Sequence, residues 1–283
     1  MENSFRGWYY KCRGGHGTLA LIPAVHSCNG FTSASIQVIT EDGSWNVQIQ
    51  GTNFQLGKSR PYAALGKNVF SQRGIFLDID TGEFKASGEL SFSGLSPISY
   101  DIMGPFCCLP FMECRHSVVS MSHRIDGELS INGREYIFDN GRGYIEGDRG
   151  ISFPKRYIWS QCLFDEGSIM LSAADIPLGV LNFTGVIAVL LLRGKEYRLA
   201  TYLGARAVKI ADREIIIKQG PWQLKAKLLE DKSFGLQAPV CGEMRRIIRE
   251  NLCCKAGYQF SYGEKVIMNL KSEQASFEYE YPG

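Results

Sequence analysis

Apolar and polar residues alternate along almost the whole chain. Short runs rich in Val, Ile, Thr and aromatic residues, with a repeat of two, are separated by clusters of Gly, Asn, Asp and Pro. That is the pattern of half-buried antiparallel strands rather than amphipathic helices. Strands are expected at 8–12, 18–25, 35–40, 45–50, 74–78, 84–92, 116–123 and 127–131. In the second half they are expected at 157–164, 168–173, 185–193, 196–203, 205–210, 214–219 and 222–229, with three more near the C-terminus. Asn132-Gly133 takes up positive φ cheaply and should close a tight hairpin from 127–131 into 134–138. One segment departs from the repeat. Residues 243–252 (EMRRIIRENL) put Met244, Ile247, Ile248 and Leu252 on one helical face, between Gly242 and Gly257, and so predict a short helix.

So many short strands with almost no helix imply two β-barrels or sandwiches in series, because closure removes the exposed edges of antiparallel sheets. The join is expected in the turn-rich run around 140–155, which divides the chain into 1–145 and 146–283. Arg6-Gly7-Trp8 opens the first half and Arg156-Tyr157-Ile158-Trp159 the second, a faint sign of duplication.

Composition then narrows the function. With 283 residues, 45% hydrophobic and 21% charged, the chain can build ample cores and is not a disordered one. A net charge of +2 provides no field for capturing nucleic acid, so the expected partner is uncharged or small. The nine cysteines are odd in number, Cys107, Cys108, Cys114, Cys253 and Cys254 form no C-x-x-C pair, and the first residues lack a signal-peptide pattern. A reducing cytoplasm fits these features, and no structural zinc is expected. The apolar stretch 180–192 is interrupted by Asn182 and Thr184 and is shorter than the roughly 20 residues that span a bilayer, so it reads as a buried strand pair.

Two stretches carry polar and aromatic residues unusually densely for strand sequence, 103–123 and 143–162. On an extended chain Cys114 and His116 point one way and Glu113 and Arg115 the other. Ser120 and Ser122 continue on the His116 side, Ser117 and His123 on the Glu113 side. Tyr144, Glu146 and Asp148 share one face of a strand, and Tyr157, Trp159 and Gln161 share one face of the next. Carboxylates two residues apart on a strand face sit about 7 Å apart, and repulsion together with burial makes one of them a plausible general acid. On residue type alone Glu146 and Asp148 around Gly147 are more often an exposed turn than a catalytic pair, and His116 and His123 more often hydrogen-bonded strand residues than ligands or bases. With Glu113 the two histidines would offer a two-histidine, one-carboxylate metal set, but their spacing fixes no geometry and no metal is expected. Neither a phosphate-binding loop nor a dinucleotide fingerprint occurs, so no cofactor is implied.

At these stretches the chain resembles the tocopherol cyclase family, whose short bacterial members are soluble proteins of this length. The matching residues are Phe5-Arg6-Gly7-Trp8-Tyr9-Tyr10, Leu19-Ala20-Leu21-Ile22-Pro23, Ile102-Met103-Gly104-Pro105-Phe106 and Met112-Glu113-Cys114 with His116. They continue with Val119-Ser120-Met121 with His123, Gly143-Tyr144-Ile145-Glu146, Ser152-Phe153-Pro154, Trp159 with Gln161-Cys162, and Ala238-Pro239 with Gly242 and Met244. The likeness covers most of the chain. It implies two lipocalin-like barrels, related to folds used by carotenoid hydratases and by fungal cyclases that assist Diels–Alder reactions. It also implies closure of a chromanol ring on a prenylated hydroquinone without a redox cofactor.

That chemistry needs an acid for the alkene, a base for the phenol and a dry apolar chamber that folds the prenyl tail. The expectation is Glu146 or Asp148 as the acid, with His116 or His123 as base or orienting partner and Glu113 beside them. Trp8, Tyr144, Tyr157, Trp159 and Gln161 would hold the substrate. All these groups are expected inside a chamber of closed sheets. The family pattern Glu-Lys-Asp-Trp-Gly is replaced here by Glu146-Gly147-Asp148-Arg149-Gly150, and a guanidinium near a carbocation is unfavourable unless Arg149 points outward or is paired. The alternative to a cyclising or hydrating enzyme is a lipid or isoprenoid carrier. A cytoplasmic protein that touches a membrane surface to collect its ligand fits both readings.

Overall fold

The computed structural model describes residues 3–51, 54–57, 60–108, 112–178 and 181–282. Residues 109–111 of the first polar stretch and Val180 of the apolar run lie outside the described residues. The chain is all-β, as the period-2 pattern predicts. Its first sheet contains β1 (Ser4–Gly14), β2 (Gly17–Cys28), β3 (Phe31–Thr40), β4 (Ser44–Ile49), β5 (Phe54–Leu56), β6 (Tyr62–Leu65), β7 (Asn68–Ser71), β8 (Gly74–Asp80), β9 (Lys85–Ser93), β10 (Cys114–Ile131) and β11 (Arg134–Gly150). Their order is β4-β3-β2-β1-β11-β10-β9-β8-β7-β6-β5. The sheet curls round a single apolar core in which Tyr10 of β1 meets Phe70 of β7 and Phe92 of β9, with ring centroids 5.7 and 6.2 Å apart. Trp8, Leu21, Val38, Ile125 and Ile145 fill the same interior.

The second sheet contains β12 (Tyr157–Phe164), β13 (Gly167–Leu178), β14 (Leu181–Leu192), β15 (Lys195–Ala200), β16 (Arg206–Ala211), β17 (Glu214–Gln219), β18 (Trp222–Glu230), β19 (Phe234–Val240), β20 (Glu243–Tyr262) and β21 (Lys265–Tyr279). The order is β15-β14-β13-β12-β21-β20-β18-β17-β16, with β19 on β20. It has its own core, in which Trp222 stacks on Phe260 at 5.1 Å and Ile158, Leu171, Leu190 and Phe277 pack. Each sheet wraps round a core of its own apolar side chains.

Three expectations need correction. Residues 243–252 are not a helix but the start of β20, where burial alternates. Ile248 is buried and Ile247 is 62% exposed, although a helical face would have grouped them. Backbone pairing of β20 with β21 (Glu250 opposite Glu278, Asn251 opposite Phe277) overrides the local helical preference. The described part of that run, 181–192, forms one strand, β14, rather than a pair: β13 pairs with it from Leu178–Leu181 to Gly167–Leu192 without interruption.

The compact units also do not divide at 145/146. One comprises 1–98, 116–152 and 236–247, the other 99–115, 153–235 and 248–283. The cause is pairing: β11 stays hydrogen-bonded to β1 out to Gly150 opposite Phe5. The Asn132-Gly133 turn forms as expected, with φ of 49° and 82°.

Candidate active site

Strand alternation decides which side chains meet. On β11, Ile145 enters the first core, so Tyr144, Glu146 and Asp148 occupy the opposite face. Across the pairing, Lys11 stands opposite Tyr144, Tyr9 opposite Glu146 and Gly7 opposite Asp148. β10 adds His116 to this group. Its Nδ1 lies 2.9 Å from Asp148 Oδ1 in a hydrogen bond, and its Nε2 lies 3.2 Å from Glu146 Oε2, an ion-pair distance without hydrogen-bond alignment. The Tyr144 hydroxyl donates to Glu146 Oε2 at 2.6 Å. The neighbouring Ser117 hydroxyl donates to the Gly147 carbonyl at 2.9 Å, tying β10 to β11 beside the cluster.

The cluster is withdrawn from solvent. Glu146 is 4% exposed, and the His116 side chain only 12%. Burial works to lower the imidazole pKa, but Glu146 and Asp148 outweigh it and hold His116 well above the ordinary histidine value. The imidazole is therefore protonated at neutral pH. Burial, reinforced by Glu146, raises the Tyr144 hydroxyl well above the usual phenol range, so it stays a proton donor. His116, Glu146 and Asp148 also offer donor atoms within 4.8 Å of one another, a spacing suited to a metal ion. Because both imidazole nitrogens already face carboxylates, the imidazolium itself supplies the positive charge between them.

Other expected residues lie elsewhere. His123, like Ile125, faces the first core, its ring 4.7 Å from that of Phe92. Its Nδ1 is 3.3 Å from Ser120 Oγ, and burial lowers its pKa to about 4, so it is neutral. Gly143 makes room for it: a Cβ there would lie 2.3 Å from His123 Nε2. Trp8 is core as well, 4% exposed and on the face away from Glu146, because β1 sends its even-numbered residues inward. Glu113 is exposed and belongs to the second unit. The expectation of acid and imidazole groups within a chamber of closed sheets is thus corrected. The first interior holds the apolar core, and the buried acid–imidazole group lies on the sheet's other face.

Tyr157, Trp159 and Gln161 are buried in the second unit, on the face of β12 opposite its core. Tyr157 donates a short hydrogen bond to Glu278, a buried carboxylate that sequence reasoning missed because its partner lies 121 residues away. The departures from the family pattern also have local reasons. Arg149 is exposed, on the face opposite Glu146 and Asp148. A side chain at 147 would meet Trp8 Cδ1 at 2.8 Å, which suits glycine there.

No protein family model matches this sequence, nor does any curated protein. Solved structures do match. Kievitone hydratase from Nectria haematococca superposes with a TM-score of 0.57 at 11% identity, over 98% of this chain and 89% of that one. A putative AttH from Nitrosomonas europaea gives 0.54 at 11% identity, over 100% and 93%. CghA with Sch210972 gives 0.59 at 9% identity, over 98% and 88%. The likeness is one of fold. At such low identity it establishes the lipocalin-like architecture along nearly the full chain and no residue's role. Among the described residues, no helix is long and apolar enough to cross a membrane.

Proposed function

We propose that this chain is a cofactor-free enzyme that protonates the double bond of an apolar isoprenoid, such as a prenylated hydroquinone, and closes a ring on the resulting cation, or hydrates it. The observation that carries the reading is the buried His116 imidazolium held between Glu146 and Asp148, with Tyr144 bonded to Glu146. One hydratase among the structural neighbours, matching over nearly the whole chain, is consistent with it. So is the residue pattern shared with tocopherol cyclases.

Asp148 is the more open of the two carboxyl groups, its side chain 23% exposed, and Glu146 is engaged by the Tyr144 hydroxyl. Asp148 takes the Nδ1 proton of the His116 imidazolium and passes it to the alkene carbon, leaving a tertiary cation. The phenol oxygen, or water, bonds to that cation. The proton released from this oxygen goes to the now neutral His116 and restores the imidazolium, so the ring-closing reaction is an isomerisation with no net change in protons. With that proton on the substrate, the Glu146 and Asp148 carboxylates leave the cluster net negative, which favours the passing cation.

The test is to incubate the protein with a panel of prenylated hydroquinones and follow conversion chromatographically at unchanged mass. Asp148→Asn and Glu146→Gln should lose roughly 10² to 10⁴ in rate, the usual contribution of a positioned acid, while still binding ligand. Tight binding with no conversion across the panel would make the protein a carrier. Conversion that survives Asp148→Asn would remove the proposed acid.

A further inference from the structure

The second unit carries an open cleft of about 840 Å³, a size that suits a small molecule, and every residue lining it belongs to that unit. It lies at one end of the curled sheet, on the core-facing side. On β21 Phe277 enters the core and Tyr279 packs against it; on β20 Asn251 stands opposite Phe277 and Glu250 opposite Glu278. That register, carried one residue further, sets Arg249 beside Tyr279 on the same face as Asn251. Edge strand β16 supplies the other wall through Ala207 and Ile210. Ala207, Ile210, Tyr279 and Tyr281 are only half-buried and Arg249 is exposed, so donors and apolar wall alike are open to a ligand.

Nearly all the charges round this cleft have partners. Arg156 holds Asp175, whose Oδ1 also accepts the Thr184 and Tyr281 hydroxyls at 2.9 Å each. Arg213 faces Asp231 at 3.6 Å, and Lys209 lies 3.6 Å from Asp212 and 2.9 Å from Glu214. Arg249 differs. Its backbone N–H reaches Glu280, which belongs to the opposite face, but its guanidinium has no acidic partner among the described residues. The Tyr279 hydroxyl likewise makes no hydrogen bond, its ring lying 6.1 Å from that of Tyr281. Arg156, Lys209, Arg213 and Arg249 against Asp175, Asp212 and Asp231 leave the lining one positive charge in excess.

We propose that this cleft binds the carboxylate of a molecule with an apolar body, such as a fatty acid. The planar guanidinium of Arg249 presents two parallel N–H donors that match the two carboxylate oxygens, and the Tyr279 hydroxyl donates to the same head group from the adjoining strand. The apolar body lies against Ala207, Ile210 and the Tyr281 ring. A single negative charge cancels the excess of the lining, whereas the second charge of a phosphate monoester would face Asp175, Asp212 and Asp231 without a cation of its own. The site uses none of the His116 group and is independent of the proposed reaction.

Titration calorimetry of the full chain with decanoate, decanol and decyl phosphate, each below its aggregation threshold, tests the site. Decanoate should bind the wild type about tenfold or more tightly than decanol, the scale of a charge-assisted hydrogen bond. Arg249→Gln should lower decanoate affinity by about tenfold or more and leave decanol within about threefold, and Tyr279→Phe should lower decanoate by about threefold. Arg249→Lys keeps the charge but loses the fork, and gives a second reading, a fall of about threefold or more, should Arg249→Gln not fold. Lys271→Gln makes the same charge change on an exposed β21 residue outside the cleft and should leave decanoate binding as it is. No decanoate binding by the wild type, binding untouched by the Arg249 variants, or an equal fall in Lys271→Gln overturns the proposal. Tighter binding of decyl phosphate than of decanoate overturns it too.

Discussion

Replacing Glu146 by glutamine removes one of the two negative charges facing His116 and keeps nearly the same shape. The glutamine oxygen can still accept the Tyr144 hydroxyl, and Asp148 still holds Nδ1 at 2.9 Å, so the variant loses charge rather than scaffold. At the observed 3.2 Å, a full charge pair in an effective dielectric of 20 would attract by ~5 kcal/mol, an upper bound. Part of that is cancelled because the variant no longer has to desolvate the carboxylate. A net loss of about 2 kcal/mol is expected, the scale of a hydrogen bond to a charged group.

The loss should depend on pH in a defined direction. His116 is raised above its unfolded value, so its stabilisation is complete below the ordinary histidine pKa and fades as pH rises through the folded one. The gap between wild type and Glu146→Gln should therefore be widest near the ordinary histidine pKa of about 6.5 and should narrow in alkaline buffer. Urea unfolding from neutral to alkaline pH, run beside an NMR titration of the imidazole, measures both quantities. A gap that stays flat or widens with pH, or an imidazole that titrates unchanged in the variant, would refute the account of the cluster.

Two further outcomes follow from the histidines that face away from this cluster or lie apart from it. Gly143→Ala should cost about 1 to 3 kcal/mol, read by urea midpoint, because its Cβ would press on the His123 ring at 2.3 Å; an unchanged midpoint means the ring moves freely. His26 and His123 are both lowered to about 4 by burial, so the stability they permit is kept above the ordinary histidine value and lost as pH falls from there towards 4. Each should remove up to about 3 kcal/mol over that window. His123→Gln should flatten the acid limb of the stability profile, and an acid limb identical to wild type would contradict this.

Much of the fold can be read from local alternation, and so can one face of the site. Tyr144, Glu146 and Asp148 share a side simply because β11 is extended, and the same parity separates His116 from His123. What alternation cannot say is which side is the core. Trp8 and His123 look like ligand-binding residues by type, yet their parity sends them into a packed interior. The segment 243–252 misleads for a related reason: Met244, Ile248 and Leu252 satisfy a period of two as well as a helical one, and only the partner strand chooses between them. Glu278 and the meeting of Arg249 with Tyr279 depend on register between strands, which no local window contains.

The hairpin of residues 236–247 belongs to the first unit, where the Gln237 backbone and side chain bond to Gln37 and Asn46. A ribosome therefore releases most of the polypeptide before the first unit can acquire this segment. Until then the rim formed by Gln37 and Asn46 waits without its partner, and any truncation ahead of residue 236 leaves that half unfinished however intact its own strands are.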